Sequence, residues 1–331
     1  MGEFLEIAKV MVQPAMKLLD MCGSAIGTVY EPRHIRKLAD AEAYKIKQLG
    51  AAITDTANLP VAYENGNISM STVNFEDFAK RAEFRVNYQM LREQNNIESV
   101  VGKAYQELLD APEVPSDPVD EDWTTRFFNI VKEINTEEMQ YIWSKILAGE
   151  ITRPGSFSMR TLETIRNLSK NEAEAFQRIV PCIVITGNDY LLSSDSEVYE
   201  KYGIKFSDIL TLDECGLMTS SGSLSLTQTI TGESEVLVYN DALVMVTNGS
   251  HEKPSKVRYG IHTLTSAGKE LYRTLSCTPN REYFLSFAEH TFKENKGINF
   301  TVHNVTSIDK SIISYEKAIV REFCEKNGTV E

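Results

Sequence analysis

The stretch spanning residues 123–176 constrains this chain most, because it reads as successive amphipathic helices with their starts and stops marked. Trp123, Phe127, Ile130, Val131 and Ile134 recur at three- and four-residue spacing, the signature of one apolar helix face. Asn135, with Glu138 three residues later, predicts an N-cap and capping box. Met139, Ile142, Trp143, Ile146 and Leu147 form a second stripe, and Gly149 predicts its stop, since a residue without Cβ tolerates the left-handed cap. Pro154-Gly155 predicts a turn. Ser156 or Ser158 is then expected to cap a helix carrying Met159, Leu162, Ile165 and Leu168. Ser169 with Glu172 predicts another capping box, ahead of Ala173, Phe176, Ile179 and Val180. Local signals that agree this well specify a fold; they are not the mark of a catalytic loop.

Composition narrows the function classes. The 331 residues are enough for roughly two or three domains. With 42% hydrophobic and 24% charged residues, they can build an ordinary globular core. A net charge of −13 repels a phosphate backbone, so nucleic acid is not the expected partner. The five cysteines are scattered and never form CxxC, which argues against a zinc knuckle or disulfide framework and fits reduced thiols in a cytoplasm. There is no HExxH, Walker A, GxGxxG or GxSxG sequence. Neither a metal nor a cofactor is therefore expected, and a small-molecule ligand is left unspecified. Glu3 and Glu6 stand where a signal peptide needs basic residues. The charge-free apolar run at residues 21–30 is about half of the ~20 needed to span a bilayer, so no transmembrane segment is expected.

Residues 2–29 read as an amphipathic helix pair broken near Pro14, with small Gly23 and Gly27 four apart. The adjoining basic cluster includes Arg33, Arg36 and Lys37. Ordinary helix packing explains this face; contact with a membrane surface or a second copy is the functional alternative. Residues 58–72, rich in turn formers, read as a mobile loop. A long helical region starts at Phe75, and the prolines of residues 112–122 predict a stiff acidic linker. After residue 181 strands appear. Residues 182–186 could be a strand or the end of a helix. Residues 206–217 read as a helix ending near Gly216, and residues 224–230, 235–247 and 256–264 as strands. Thr265 caps a short helix, residues 281–293 form another, residues 298–305 are strand-like, and a final amphipathic segment covers 309–324.

The pattern Trp123 … Glu138-Met139-Gln140-x-x-Trp143-x-x-Ile146-Leu147-Ala148-Gly149-Glu150 … Pro154-Gly155-Ser156-Phe157-Ser158-Met159-Arg160-Thr161-Leu162 … Leu168-Ser169-x-x-Glu172-Ala173 resembles an uncharacterised bacterial family whose domain has no assigned function. Arg92-x-x-Asn95-Asn96-Ile97 and Ile26-Gly27-x-x-Tyr30-Glu31-Pro32 extend the resemblance over most of residues 20–180. More distantly the block is similar to Abi-alpha type abortive-infection proteins. That resemblance implies a bacterial or prophage protein and a place in phage defence, and supplies no catalytic residues. Phe206-x-x-Ile209-Leu210 … Cys215-Gly216-Leu217, with Tyr259-Gly260-Ile261-His262-Thr263-Leu264-Thr265-Ser266-Ala267-Gly268, resembles the end of a winged helix. The interval between the two parts holds more strand than a usual wing. Residues 206–276 carry eight Asp/Glu against five Lys/Arg, opposite to the bias a DNA reader needs.

The expected architecture is mainly α with an α+β C-terminal part. Residues 1–72 form a helical arm with the loop, 73–181 a helical core, and 182–331 a winged-helix-like region with a tail. The expected function is that of a non-enzymatic interaction component, cytoplasmic and acting through a protein partner or self-association. A peripheral effector at the inner membrane and a DNA-binding regulator are the alternatives. One turn keeps a functional candidate: Arg153, Ser156, Ser158 and Arg160 flank a helix N-terminus, where free N–H groups and two cations suit an anion or a partner. Serine capping with an Arg ion pair to Glu150 or Glu163 explains the same residues structurally.

Overall fold

A computed structural model describes residues 78–109 and 117–324, apart from 222–223, 233, 249–254, 276 and 310–311. It also describes the backbone of a hairpin within 61–70 and a few residues between Pro14 and Gly23. The chain divides into two compact units, Met1–Leu162 and Glu163–Glu331.

In the first unit, strands β1 (Val61–Glu64) and β2 (Asn67–Met70) pair antiparallel, Val61 opposite Met70 and Glu64 opposite Asn67. The segment expected as a loop therefore holds a hairpin. Asn65-Gly66, between two short apolar-alternating runs, is the signal that should have announced it. Helix α1 (Phe78–Leu109) runs unbroken through Gln94-Asn95-Asn96. Helices α2 (Glu121–Val131), α3 (Glu137–Thr152) and α4 (Met159–Arg166) follow, α4 crossing the boundary between the units. The expected linker ends early, because Asp120 caps α2 by accepting from Trp123 N–H at 2.8 Å, with Glu121 and Asp122 favourably placed in the first turn.

The core of this unit is the stripe of α1 (Ile97, Val100, Val101, Ala104, Leu108) against the apolar faces of α2 and α3. Trp123 stacks on Phe127 at 5.0 Å, and Phe127 meets Trp143 edge-on at 5.6 Å, so both tryptophans are core residues. Asn135 is not the cap of α3; Thr136 holds that position without a side-chain bond. Asn135 Oδ1 instead accepts from Asn96 Nδ2, which also donates to Lys132 O at 2.8 Å. Gln140 donates to Ile134 O and to Asn96 Oδ1, and accepts from Ser99 Oγ at 2.7 Å. This buried network ties α1 to the α2–α3 connection, and it explains polar residues on a core-facing stripe.

The second unit opens with α5 (Lys170–Ile179), whose predicted capping box is present: Ser169 Oγ accepts from Glu172 N–H and Glu172 returns the bond. Both alternatives for residues 182–186 are realised in turn. A 3-10 turn at Val180–Cys182 ends the helical stretch, and β3 (Val184–Thr186) starts directly after it. Then come β4 (Asp189–Ser193), α6 (Ser196–Tyr199), α7 (Phe206–Glu214), β5 (Met218–Thr219), β6 (Ser225–Ile230), β7 (Val236–Tyr239), β8 (Leu243–Asn248) and β9 (Ser255–Leu264). Helices α8 (Ser266–Tyr272) and α9 (Arg281–Glu294) and strands β10 (Asn299–Asp309) and β11 (Ile312–Phe323) complete it.

The sheet order is β11-β10-β8-β7-β3-β4-β9-β5, with β6 added on β9, and every pairing is antiparallel. This is an α+β architecture. Residues 235–247, expected as one strand, form a hairpin. Asn240 Oδ1 accepts from Ala242 and Leu243 N–H and turns the chain, an Asx turn that the apolar run on either side conceals. Helix α9 buries Tyr283, Phe284, Phe287 and Ala288, and Asn295 brackets the Arg258 backbone of β9 through its N–H and C=O.

Candidate functional site

The turn joining α3 to α4 is built around Phe157. Glu150, 1% exposed, accepts from Gly155 N–H at 2.6 Å and Phe157 N–H at 3.0 Å. The Phe157 carbonyl accepts from the Trp123 indole at 2.8 Å. Its ring lies against Gly149, where a Cβ would come within 2.9 Å of the ring edge. Gly149 is therefore not a helix stop. The helix continues to Thr152, and the missing side chain makes room for Phe157. Gly155, at φ +82°, makes the turn itself.

The four residues expected at an anion or partner site occupy this turn as follows. Arg153 is the exposed C-cap of α3, with its N–H on Gly149 O. Ser156 Oγ donates to Arg153 O. Ser158 is the cap of α4: its Oγ accepts from Thr161 N–H at 3.2 Å and lies 2.9 Å from Thr161 Oγ1. Arg160 is exposed in the first turn of α4. A carboxylate already sits on the turn's N–H groups, and it belongs to the chain itself. Near it, Lys17 donates to Ile151 O at 3.1 Å. Burial holds the Lys17 ammonium below its ordinary pKa, partly offset by the charges of Asp117 and Glu150. Of the residues expected at a membrane or oligomer contact, Gly23 is helical and half-buried, and Gly27, Arg33, Arg36 and Lys37 lie outside the described residues. Leu18, Met21 and Cys22 of the same segment are buried. Among the described residues no helix is long and apolar enough to cross a membrane.

The second unit holds polar groups that no local motif announces. Arg178 on α5 grips Asp208 on α7 with both arms, Nη2 at 2.7 Å and Nε at 3.2 Å, while Lys205 N–H bonds the same carboxylate at 2.9 Å. Burial would raise the Asp208 pKa, but these donors more than compensate and hold it below the usual carboxylate range. The stability this supplies is complete above the ordinary value of 3.8 and is lost as pH falls through the lowered one. Arg178→Ala should cost about 1–3 kcal/mol, because Asp208 stays buried while Arg178 itself is partly solvated. The variant should also have a flatter acid limb in a plot of urea midpoint against pH; an unchanged limb would count against the pair.

His290 Nδ1 lies 3.0 Å from Asp195, and Tyr202 O–H donates to Glu282 O at 2.8 Å. His303 is fixed between Thr301 Oγ1 and Ala318 O. His262 differs: it is 5% exposed, and neither ring nitrogen has a hydrogen-bond partner among the described residues. The cysteines are free thiols. Burial pushes Cys22 and Cys182 up to about 12, with Cys277 adding to the shift at Cys182, so both stay protonated at neutral pH.

Fold and turn together define an α+β protein with a helical first unit, an antiparallel sheet in the second, and a turn built on its own carboxylate. The chain belongs to the DUF2806 family, proteins of unknown function, whose sequence profile matches residues 80–288. No curated protein and no solved structure matches it.

Proposed function

We propose that this protein works by binding another protein chain, with the ribbon of β10 and β11 as the contact surface. The observation that carries this is a protruding apolar ribbon. β8 flanks β10 as far as Asn304; past it, strand pairing among the described residues joins β10 and β11 alone. A two-stranded ribbon is marginal in water by itself. Past Asn304 this one exposes Ile308 (37%) on one face and Ile312 (70%) on the other, and the outer strand β11 continues this surface with Ile319 (55%) and Val320 (39%) where it runs beside the part of β10 that β8 flanks. Apolar surface held out in that way is typical of a protein contact. Three register shifts between the strands bend the ribbon and blunt its edge against strand addition. Side chains therefore make the surface, more than the strand edge does. Bacterial phage defence, implied by the abortive-infection resemblance, is the setting in which we place this binding.

The test joins Ile312→Lys with Ile319→Lys. Wild-type protein should self-associate in sedimentation velocity, or capture a specific partner from bacterial cells with or without phage. The double variant should lose that binding while its far-UV circular dichroism and thermal midpoint stay within a few degrees of wild type. A wild type that stays monomeric and captures nothing specific, or a variant that keeps every partner, ends this reading.

A further inference from the structure

The second unit carries a buried imidazole that its surroundings do not serve. His262 sits on β9 opposite Leu192 of β4, and both are buried. The ring of Tyr199 from α6 covers it edge-on, with centroids 6.2 Å apart, and Tyr199 is itself 2% exposed. A neutral imidazole has one donor and one acceptor, and here both go unmet among the described residues, so the closed state carries their full desolvation cost. The covering segment is short. Helix α6 has four residues and is held at both ends by polar bonds to α9: Asp195 to His290 at 3.0 Å, and Tyr202 to Glu282 O and Ser286 Oγ.

We propose that residues 195–203 are an acid-released lid: protonating His262, which the closed fold cannot solvate, lifts α6 off β9. The ionisable groups on the neighbouring elements do not cancel this. Tyr199 stays neutral, its pKa raised by burial and by Glu200 and Asp195. Asp213 on α7 favours the imidazolium, but burial outweighs it and holds His262 below its ordinary 6.5. The sign follows. The open state takes up a proton that the closed state resists. The lid's closing free energy is thus complete above about 6.5 and is lost as pH falls below it. His290 of α9 lies 3.0 Å from Asp195 at the start of the lid.

Hydrogen exchange of the full chain tests the lid, with rates corrected for the intrinsic effect of pH. Between pH 7.0 and 5.5, protection of residues 195–203 should fall by up to about eight-fold, the limit for a group that titrates at its ordinary value when open and stays neutral when closed. Residues 206–214 should keep theirs. His262→Phe, or His262→Gln should the first variant fail to fold, should abolish the loss, and His290→Gln should retain it. An equal loss in the His262 variants, no loss in wild type, or an equal loss in every peptide overturns the proposal.

Discussion

Gly268→Ala should be the most damaging single-methyl change in the second unit. A Cβ at this position would lie 2.0 Å from Leu217 O and 3.2 Å from Leu264 Cβ. The first of these is backbone, and it is committed: Leu217 O accepts from Thr265 N–H at 3.0 Å. Thr265 Oγ1 donates to Gly216 O at 2.6 Å and accepts from Gly268 N–H at 3.2 Å. Gly216, at φ +79°, is the left-handed stop that places Leu217 there. The methyl can enter only if α8 leaves the end of α7, so overpacking adds to the loss of a capping bond. The expected cost is at least about 3 kcal/mol, or roughly 6–12 °C in thermal midpoint. Gly203→Ala is the control. Its φ of +81° is left-handed, whereas Gly268 lies within a helix, and among the described residues no atom beyond its chain neighbours lies within 4 Å of the added methyl. It should cost only about 1–2 kcal/mol. Equal midpoints for the two variants would show that the close approach to Leu217 costs no more than a left-handed alanine, against this expectation.

That junction shows what the sequence could and could not tell. Residues 206–217 and the Leu264-Thr265-x-x-Gly268 pattern were legible as a helix stop and a capped start, because each is local chemistry. That they lock onto one another was not legible, since Gly268 looks like any helix-start glycine until Leu217 O is placed beside it. The same division runs through the chain. Ser169 with Glu172 was readable as a capping box because both partners lie within one turn. Asn135 was misread as a cap because its real partner, Asn96, is 39 residues away. Gly149 was misread as a stop because the ring that requires it arrives eight residues later, after a turn. Asn65-Gly66 and Asn240 were overlooked because hairpin signals short of long alternating strands resemble loops, or vanish inside an apolar run. For the candidate site, the residue types at positions 153–160 were legible, and Ser158 could be named as a cap. The occupant of the turn's N–H groups was not, because Glu150 at the end of a helical stripe looks like a solvated charge. His262 was seen as a histidine on a strand; its lack of partners is a property of three dimensions alone.

Glu150 provides the other large effect, in the first unit. Its buried carboxylate satisfies the N–H groups of exposed Gly155 and buried Phe157, and the Phe157 carbonyl is held by Trp123. Glu150→Ala leaves both donors without that acceptor and opens space beneath them. At about 1–3 kcal/mol for the buried Phe157 donor and less for Gly155, whose N–H water can reach, the loss with the space opened should be about 3 kcal/mol. Glu150→Gln keeps one acceptor oxygen but turns an amide N–H towards the other donor, so an intermediate loss of about 2 kcal/mol is expected. Glu137→Ala, which removes an exposed carboxylate from the first turn of the same helix, should cost under about 1 kcal/mol. Fluorescence isolates the effect. The chain has two tryptophans, Trp123 and Trp143, both in the first unit, so emission reports that unit alone. In a Trp143→Phe background, Trp123 reads the turn directly through its bond to Phe157. Urea titrations in that background should rank the midpoints Glu137→Ala, then Glu150→Gln, then Glu150→Ala, with emission shifted to the red in the last even before unfolding. If Glu150→Ala unfolds beside Glu137→Ala, the carboxylate does not organise the turn, and the N–H groups of Gly155 and Phe157 are then open to an anion from outside, with Arg153 and Arg160 flanking it.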